Sequence, residues 1–194
     1  MTPFEFVCAF YSVVLGVAVA QLMTSVGRLA EERERVRGYW VSNLWILTVL
    51  FADVSNWWGI WGLHDVKRWS IYSFLLLVAL TAAVYLTTVL LFPRIPTSED
   101  AIIDMERHFY KSRRIFFTGF TSAWVLALIC NWSFFPITLM TLGNVLPAAM
   151  IVLGIIAVMT ANRSFHAVYA VIALIAIVLN VLSEGAWTLN TFIE

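Results

Sequence analysis

Six apolar segments, each close to the length of a membrane-crossing helix, constrain this chain more than any other feature of its sequence. A helix needs about 20 mostly apolar residues to cross the hydrocarbon core of a bilayer. The segments that meet this requirement are 4–26, 41–62, 70–92, 114–136, 138–160 and 164–188. Their backbone polar groups must be satisfied internally, and the segments do not alternate like barrel strands. We therefore predict an all-α fold: one domain, residues 1–194, that is a polytopic membrane protein with a bundle of six transmembrane helices and short loops.

Composition supports a membrane protein and argues against a nucleic-acid binder. Hydrophobic residues make up 61% of the chain and charged residues only 12%, far from the averages of soluble domains. The 12 basic and 12 acidic residues balance, so no strongly positive surface is left to hold phosphates of nucleic acid. The lipid bilayer is therefore the first partner that the sequence predicts.

The positions of the cations predict the orientation. If the N-terminus lies outside, only Lys67 and Arg68 are external and the other ten cations are cytoplasmic. This asymmetry follows the positive-inside rule. We therefore expect both termini outside an integral membrane, with the bacterial inner membrane as the expected location. The ten cytoplasmic cations are Arg28, Arg33, Arg35, Arg37, Arg94, Arg107, Lys111, Arg113, Arg114 and Arg163.

Two charged cytoplasmic segments are predicted to be helical. The first helix should continue past the membrane, support itself with a Glu31–Arg35 pair and stop at Gly38. The second loop should turn helical at Thr97, with acids first and bases later, as the helix dipole prefers. We predict one cytoplasmic interfacial helix there, lying on or leading into the fourth span. Its apolar face would carry Ile102, Met105, Phe109 and Phe116.

The first helix has a predicted cap and a predicted packing face. Thr2, Pro3 and Glu5 have the spacing of a capping box, so Glu5 is interpreted as a cap. Small residues then recur every four positions, which lets another helix approach closely. This face would be a seam inside the bundle or between subunits, and we expect a homo-oligomer or a subunit of a membrane complex. Its residues are Ser12, Gly16, Ala20 and Thr24.

Asp53 is a carboxylate near the middle of the second apolar segment. Such a residue costs about 2.5–3.5 kcal/mol at the centre of a span, and it usually faces the protein interior and marks function. No Lys or Arg lies within a predicted span to pair with it. Three states are open: Asp53 is protonated, it is held by amide and indole donors, or it binds a cation. A purely structural carboxyl is the alternative to a functional one.

Amide side chains from four helices share one level, just outward of Asp53. At 1.5 Å of rise per residue, Asp53 lies about 2 Å outward of its helix centre and the amides about 6–9 Å outward. Glu184 lies at about 12 Å. Trp57 falls on the Asp53 stripe and could hold an organic cation by cation–π attraction, although interfacial tryptophans are also common. The predicted ligand- or ion-binding residues are Asp53, Asn56, Trp57, Asn131, Asn144, Asn180 and Glu184.

Motifs of enzymes and cofactor proteins are missing from the sequence. There is no G-x-S-x-G, H-E-x-x-H or glycine-rich phosphate loop, and Cys8 and Cys130 lie in apolar segments without disulfide or metal spacing. The three histidines are scattered. The sequence therefore favours a non-enzymatic protein with no catalytic residues, no metal and no cofactor.

Two functions remain after these exclusions. The first is a cation- or proton-linked transporter or channel, with an outward-facing polar, Trp-lined cavity around Asp53. The alternative is a non-catalytic membrane subunit or sensor that binds a lipid or a small amphiphilic ligand in that cavity. A third hypothesis, an intramembrane enzyme using Asp53 and Glu184 as acid and base, lacks an accompanying nucleophile or metal set.

Overall fold

The computed structural model describes residues 2–66, 68–98, 100–135 and 142–191, with the backbone alone described at 142, 143 and 183–191. These residues form six α-helices, a short 3-10 turn and a two-stranded bridge, so the predicted all-α class is confirmed. The helices are α1 (Pro3–Glu31), α2 (Trp40–Gly59), α3 (Ile71–Leu90), α4 (Met105–Phe134), α5 (Leu142–Met159) and α6 (Arg163–Thr191). The strands are β1 (Val36–Arg37) and β2 (Ile103–Asp104), and the 3-10 turn is Ile60–Leu63.

Four of the described helices are long and apolar enough to cross a membrane: α1, α3, α4 and the Arg163–Leu182 part of α6. The apolar part of α5, Asn144–Met159, is shorter. Helix α2 has the same length as α3, but it includes Asp53, Ser55 and Asn56. Large apolar side chains cover much of the outer surface of the helices, as expected for a protein that faces lipid.

The helices run alternately up and down, because short connections join each to the next. Helix α4 packs between α3 and α5, α2 packs against α6, and α1 packs against α3. The bundle therefore has two distinct ends. At the bridge end, α1 and α3 finish, α2 and α4 begin, and strands β1 and β2 pair in parallel. At the other end, here called the cavity end, α2 and α4 finish and α3 begins.

The predicted continuation of α1 to Gly38 is wrong, because a tertiary contact replaces it. Helix α1 ends at Glu31, and Val36–Arg37 pair with Ile103–Asp104 instead. Arg35 makes the turn: its Nε donates to Glu32 Oε2 at 2.6 Å and its NH1 to the Ser98 carbonyl at 2.7 Å. The ion pair is thus Glu32–Arg35 and not Glu31–Arg35. The hydrogen bond from Arg35 lowers the pKa of the Glu32 carboxyl.

The predicted helical start at Thr97 is also wrong. In the described residues between α3 and α4, the chain forms turns and strand β2, and α4 begins at Met105 with Asp104 accepting from the Arg107 N–H at 2.9 Å. Residue 99 lies outside the described residues. Most of the apolar face predicted for the interfacial helix is buried in the protein core: Met105, Phe109 and Phe116 are buried, whereas Ile102 is exposed.

The first turn of α1 has the predicted capping box, since Thr2 Oγ1 accepts from the Glu5 N–H and Glu5 Oε2 accepts from the Thr2 N–H. The predicted small-residue face of α1 is not the face that this helix buries in the bundle. Gly16, Ala20 and Thr24 are exposed, and Ser12 is half-buried. The buried face is formed by a different set of residues, four of them large: Val7, Tyr11, Leu15, Ala18, Leu22 and Ser25.

Helices α4 and α5 approach closely at Gly154. A Cβ built at this position would overlap Thr121 Oγ1 of α4. We expect Gly154→Ala to lower the free energy of unfolding by about 1–3 kcal/mol, the usual cost of an overpacked core. Thermal unfolding in detergent measures the loss. The matched control is Gly16→Ala, which meets no atom within 4 Å and should gain about 0.5–1 kcal/mol through helix propensity. Equal stability of the two variants would contradict the close approach.

Candidate functional site

A cavity of about 260 Å³ lies between the helices toward the cavity end of the bundle. All six helices contribute to its lining, with α2 and α4 contributing most of the residues. Much of the lining is apolar, including Phe120, Trp124 and Phe134 of α4. The polar lining residues are Tyr11, Asp53, Ser55, Asn56, Thr87, Asn131 and Asn180. The space therefore suits a small ligand with an apolar body and a polar group.

Asp53 is the charged residue in this lining. It lies on the buried face of α2, in register with Trp45 and Val49, and its side chain is 1% exposed. Among the described residues, neither carboxyl oxygen has a hydrogen-bond partner. A buried carboxyl without a partner carries a large desolvation cost, so this position is stable only with a proton or with a cationic partner.

Two hydroxyl groups from other helices lie beside Asp53 and do not neutralise it. Tyr11 of α1 interacts electrostatically with the carboxyl, and the hydroxyl of Thr88 of α3 lies close enough to be an alternative hydrogen-bond donor to it. The Thr88 hydroxyl donates its hydrogen to the Val84 carbonyl at 3.1 Å. Tyr11 is 3% exposed and lines the cavity. Helices α1, α2 and α3 therefore meet around one carboxyl.

Three of the predicted asparagines line the same cavity as Asp53: Asn56, Asn131 and Asn180. Asn56 Nδ2 donates to the Ala52 carbonyl at 2.9 Å, within its own helix. Asn180 Nδ2 donates to Ser55 Oγ at 3.1 Å, which joins α6 to α2 as the facing stripes predicted. Both amides use Nδ2 in these bonds. The structure therefore brings four of the seven predicted site residues to one cavity.

The other predicted site residues lie elsewhere. Trp57 is 52% exposed, is absent from the cavity lining, and donates its indole N–H to Ser12 Oγ of α1 at 3.2 Å. Asn144 is buried on α5 but does not line the cavity. Glu184 is on α6, but its side chain lies outside the described residues. Tyr11, Thr87 and Trp124 were not predicted as site residues.

An aromatic cluster separates the cavity from the bridge end. Trp45 is fully buried and meets four rings edge-on, at centroid distances of 5.1–5.4 Å. One of these rings, Phe120, also lines the cavity. His166 stacks on Phe117 at 5.2 Å on the bridge side. The rings contacting Trp45 are Phe116, Phe117, Phe120 and Tyr169.

The donor set does not resemble a metal centre. Among the described residues, no group of three or more His, Cys, Asp or Glu side chains is placed to hold a metal ion. The site therefore has one carboxyl, hydroxyls and amides as its polar groups. The chain matches no known family model, no curated protein and no solved structure, so similarity to known proteins assigns it neither a family nor a function.

Proposed function

We propose that this chain is a cation- or proton-linked membrane transporter or channel in which Asp53 is the protonatable or cation-binding group. The observation that carries the proposal is the Asp53 carboxyl, 1% exposed, lining a cavity and without a hydrogen-bond partner among the described residues. A carboxyl in this situation favours a bound proton or a bound cation, because either one compensates the buried negative charge.

The cavity favours a small organic ammonium ion over a bare metal ion as the cation. A metal ion such as Ca²⁺ requires about 6–8 oxygen ligands, whereas the lining offers one carboxyl among mostly apolar side chains. Trp124, Phe120 and Phe134 provide aromatic faces for the apolar body or the charge of an ammonium. The volume of about 260 Å³ lies just below the usual range of small-molecule pockets, about 300–1,000 Å³.

The proposal includes six spans, with α2 and α5 crossing the membrane beside the four long apolar helices. Helix α2 packs against α6 and helix α5 packs against α4. This packing favours α2 and α5 lying at the same depth in the bilayer as the helices they contact. Arg35, Arg37 and Arg163 gather at the bridge end, where Arg37 and Arg163 pair with Asp104 and Glu106. By the positive-inside rule, the bridge end would be cytoplasmic and both termini external, with the bacterial inner membrane as the proposed location.

A second function is favoured by the aromatic cluster. The rings around Trp45 occupy the space between the cavity and the bridge end, so a ligand would enter from the cavity end. A transporter would have to open this cluster, whereas a subunit or sensor would not. In this alternative the cavity holds a small amphiphilic ligand without transport. The exposed small residues Gly16 and Ala20 of α1 would then contact another subunit, of the same or a different protein.

A cavity-filling substitution tests whether the cavity is the site of function. Ala127 of α4 lines the cavity, so Ala127→Phe should place a ring inside it. We expect uptake of a small aryl-alkyl ammonium such as phenethylammonium into liposomes to fall at least about tenfold, because the ring takes the space of the ligand. Uptake driven by an imposed pH gradient is the measurement, after subtraction of the uptake by liposomes without protein, because the neutral form of the amine crosses lipid by itself.

The matched control for this experiment is on the same helix. Val125 of α4 is 37% exposed and absent from the cavity lining, so Val125→Phe should leave uptake unchanged. Full uptake by folded Ala127→Phe protein would contradict the cavity as the transport site. Specific binding of phenethylammonium by the unmodified protein, without any uptake, would favour the sensor or subunit.

A further inference from the structure

A second cleft of about 310 Å³ lies at the bridge end, between the last turns of α1 and the segment that follows α3. It shares no lining residue with the Asp53 cavity. Arg28 of α1 and Arg94, four residues after the end of α3, line it from two sides. Gln21 and Ser25 add polar groups two turns and one turn before Arg28, and Gln21 Nε2 donates to Ser25 Oγ at 3.2 Å.

The two arginines of this cleft have no partner among the residues that the structure describes. Neither Arg28 nor Arg94 forms an ion pair or a side-chain hydrogen bond within the described part of the chain. By contrast, Arg35 and Arg163 at the same end pair with carboxylates at 2.6 and 2.9 Å. Two guanidinium groups with free donors on one cleft form a site for an anion, and phosphate oxygens match their planar fork.

The cleft continues onto an apolar surface that faces outward. Its walls include Leu29, Val89 and Phe92. Val89 is 37% exposed, and Val26, one turn before Leu29 on α1, is also 37% exposed. A bound phosphate could therefore carry an acyl chain along α1 and α3 without placing it in water. This continuity favours a phospholipid over free inorganic phosphate.

We propose that the Arg28–Arg94 cleft binds the phosphate group of an anionic phospholipid at the membrane surface. The arginines supply charge and donors at headgroup depth, and the exposed side chains of α1 and α3 contact the acyl chain. This site is independent of the Asp53 cavity and of the function proposed for it.

Native mass spectrometry of the full chain in detergent tests the site. Phosphatidylglycerol and phosphatidylcholine are each added, and the retained lipid is counted. We expect the unmodified protein to retain phosphatidylglycerol preferentially, and the double variant Arg28→Gln with Arg94→Gln to bind it roughly 30-fold more weakly, at about 1 kcal/mol per arginine. The variant with Arg28→Lys and Arg94→Lys should lie between them.

The matched control removes the same charge outside the cleft. Arg33 and Arg114 are exposed and do not line it, so Arg33→Gln with Arg114→Gln should retain the lipid. An equal loss in both double variants, or equal retention of the two lipids by the unmodified protein, would overturn the proposal. Displacement of the lipid by millimolar inorganic phosphate would show a free-phosphate site instead. If the cleft double variant does not fold, each single variant should bind about fivefold more weakly, and unchanged binding in both would also overturn it.

Discussion

Replacing Asp53 by asparagine is expected to reduce cation- or proton-linked uptake in liposomes to the level of liposomes without protein. The amide has nearly the same shape as the carboxyl but can neither exchange a proton nor carry the negative charge that a cation needs. The variant should fold at least as well as the unmodified protein, because it removes a buried ionisable group that lacks a hydrogen-bond partner in the described residues. Uptake and thermal unfolding are measured on the same preparations.

The control for Asp53→Asn is a carboxyl in a different setting. Asp65 lies just after the 3-10 turn, and its side chain is 87% exposed. Asp65→Asn should leave uptake unchanged, because this carboxylate is solvated and lies outside the cavity. Normal uptake by the folded Asp53→Asn variant would contradict the proposal that Asp53 is the protonatable or cation-binding group. Asp53 would then be a structural carboxyl. Loss of folding in this variant would point to the same conclusion.

Truncation of Trp45 to alanine is expected to lower the free energy of unfolding by about 3–5 kcal/mol, the usual cost of removing a buried aromatic side chain. Trp45 is fully buried, and its contacts with Phe117 and Tyr169 join α2 to α4 and α6. Edge-to-face ring pairs add about 0.5–1.5 kcal/mol beyond the burial of their area. The loss is measured by denaturant or thermal unfolding in detergent.

A second tryptophan of α2 is the control for this stability prediction. Trp40 is 54% exposed at the start of the same helix, so Trp40→Ala should change stability by less than about 0.5 kcal/mol. Trp45→Phe keeps a ring and should lose less stability than Trp45→Ala. A loss below about 1 kcal/mol for Trp45→Ala would mean that the aromatic cluster does not hold the helices together.

The positions of the helices follow from local features that the sequence contains. Helices α3 (Ile71–Leu90) and α5 (Leu142–Met159) lie within the predicted segments 70–92 and 138–160, and the Thr2–Glu5 capping box starts α1 as expected. These features depend on hydropathy and on contacts three or four residues apart, which the linear order of residues already specifies. The prediction was wrong at the bridge end, where Arg35 contacts Ser98 across 63 positions in sequence. No local pattern encodes that contact.

The candidate site, like the fold, has a part that local sequence features predict and a part that they do not. Depth along each helix predicted that Asp53, Asn56, Asn131 and Asn180 share one region, because helical rise converts sequence position into height. Depth says nothing about rotation around the helix axis. Trp57 and Asn144 therefore have suitable heights but do not line the cavity, and Tyr11 was missed. The apolar spacing of Val7, Tyr11 and Leu15 was a signal for that buried face.

The sequence by itself determined an all-helical chain with apolar helices suited to a membrane and a carboxyl that had to be buried at mid-helix. Both follow from the free energy of placing apolar and charged groups in water or in an apolar medium. The tertiary structure decided which side chains surround that carboxyl, that its oxygens lack hydrogen-bond partners in the described residues, and that aromatic rings lie beneath it. These properties depend on how helices distant in sequence rotate and pack against one another, which only the assembled bundle specifies.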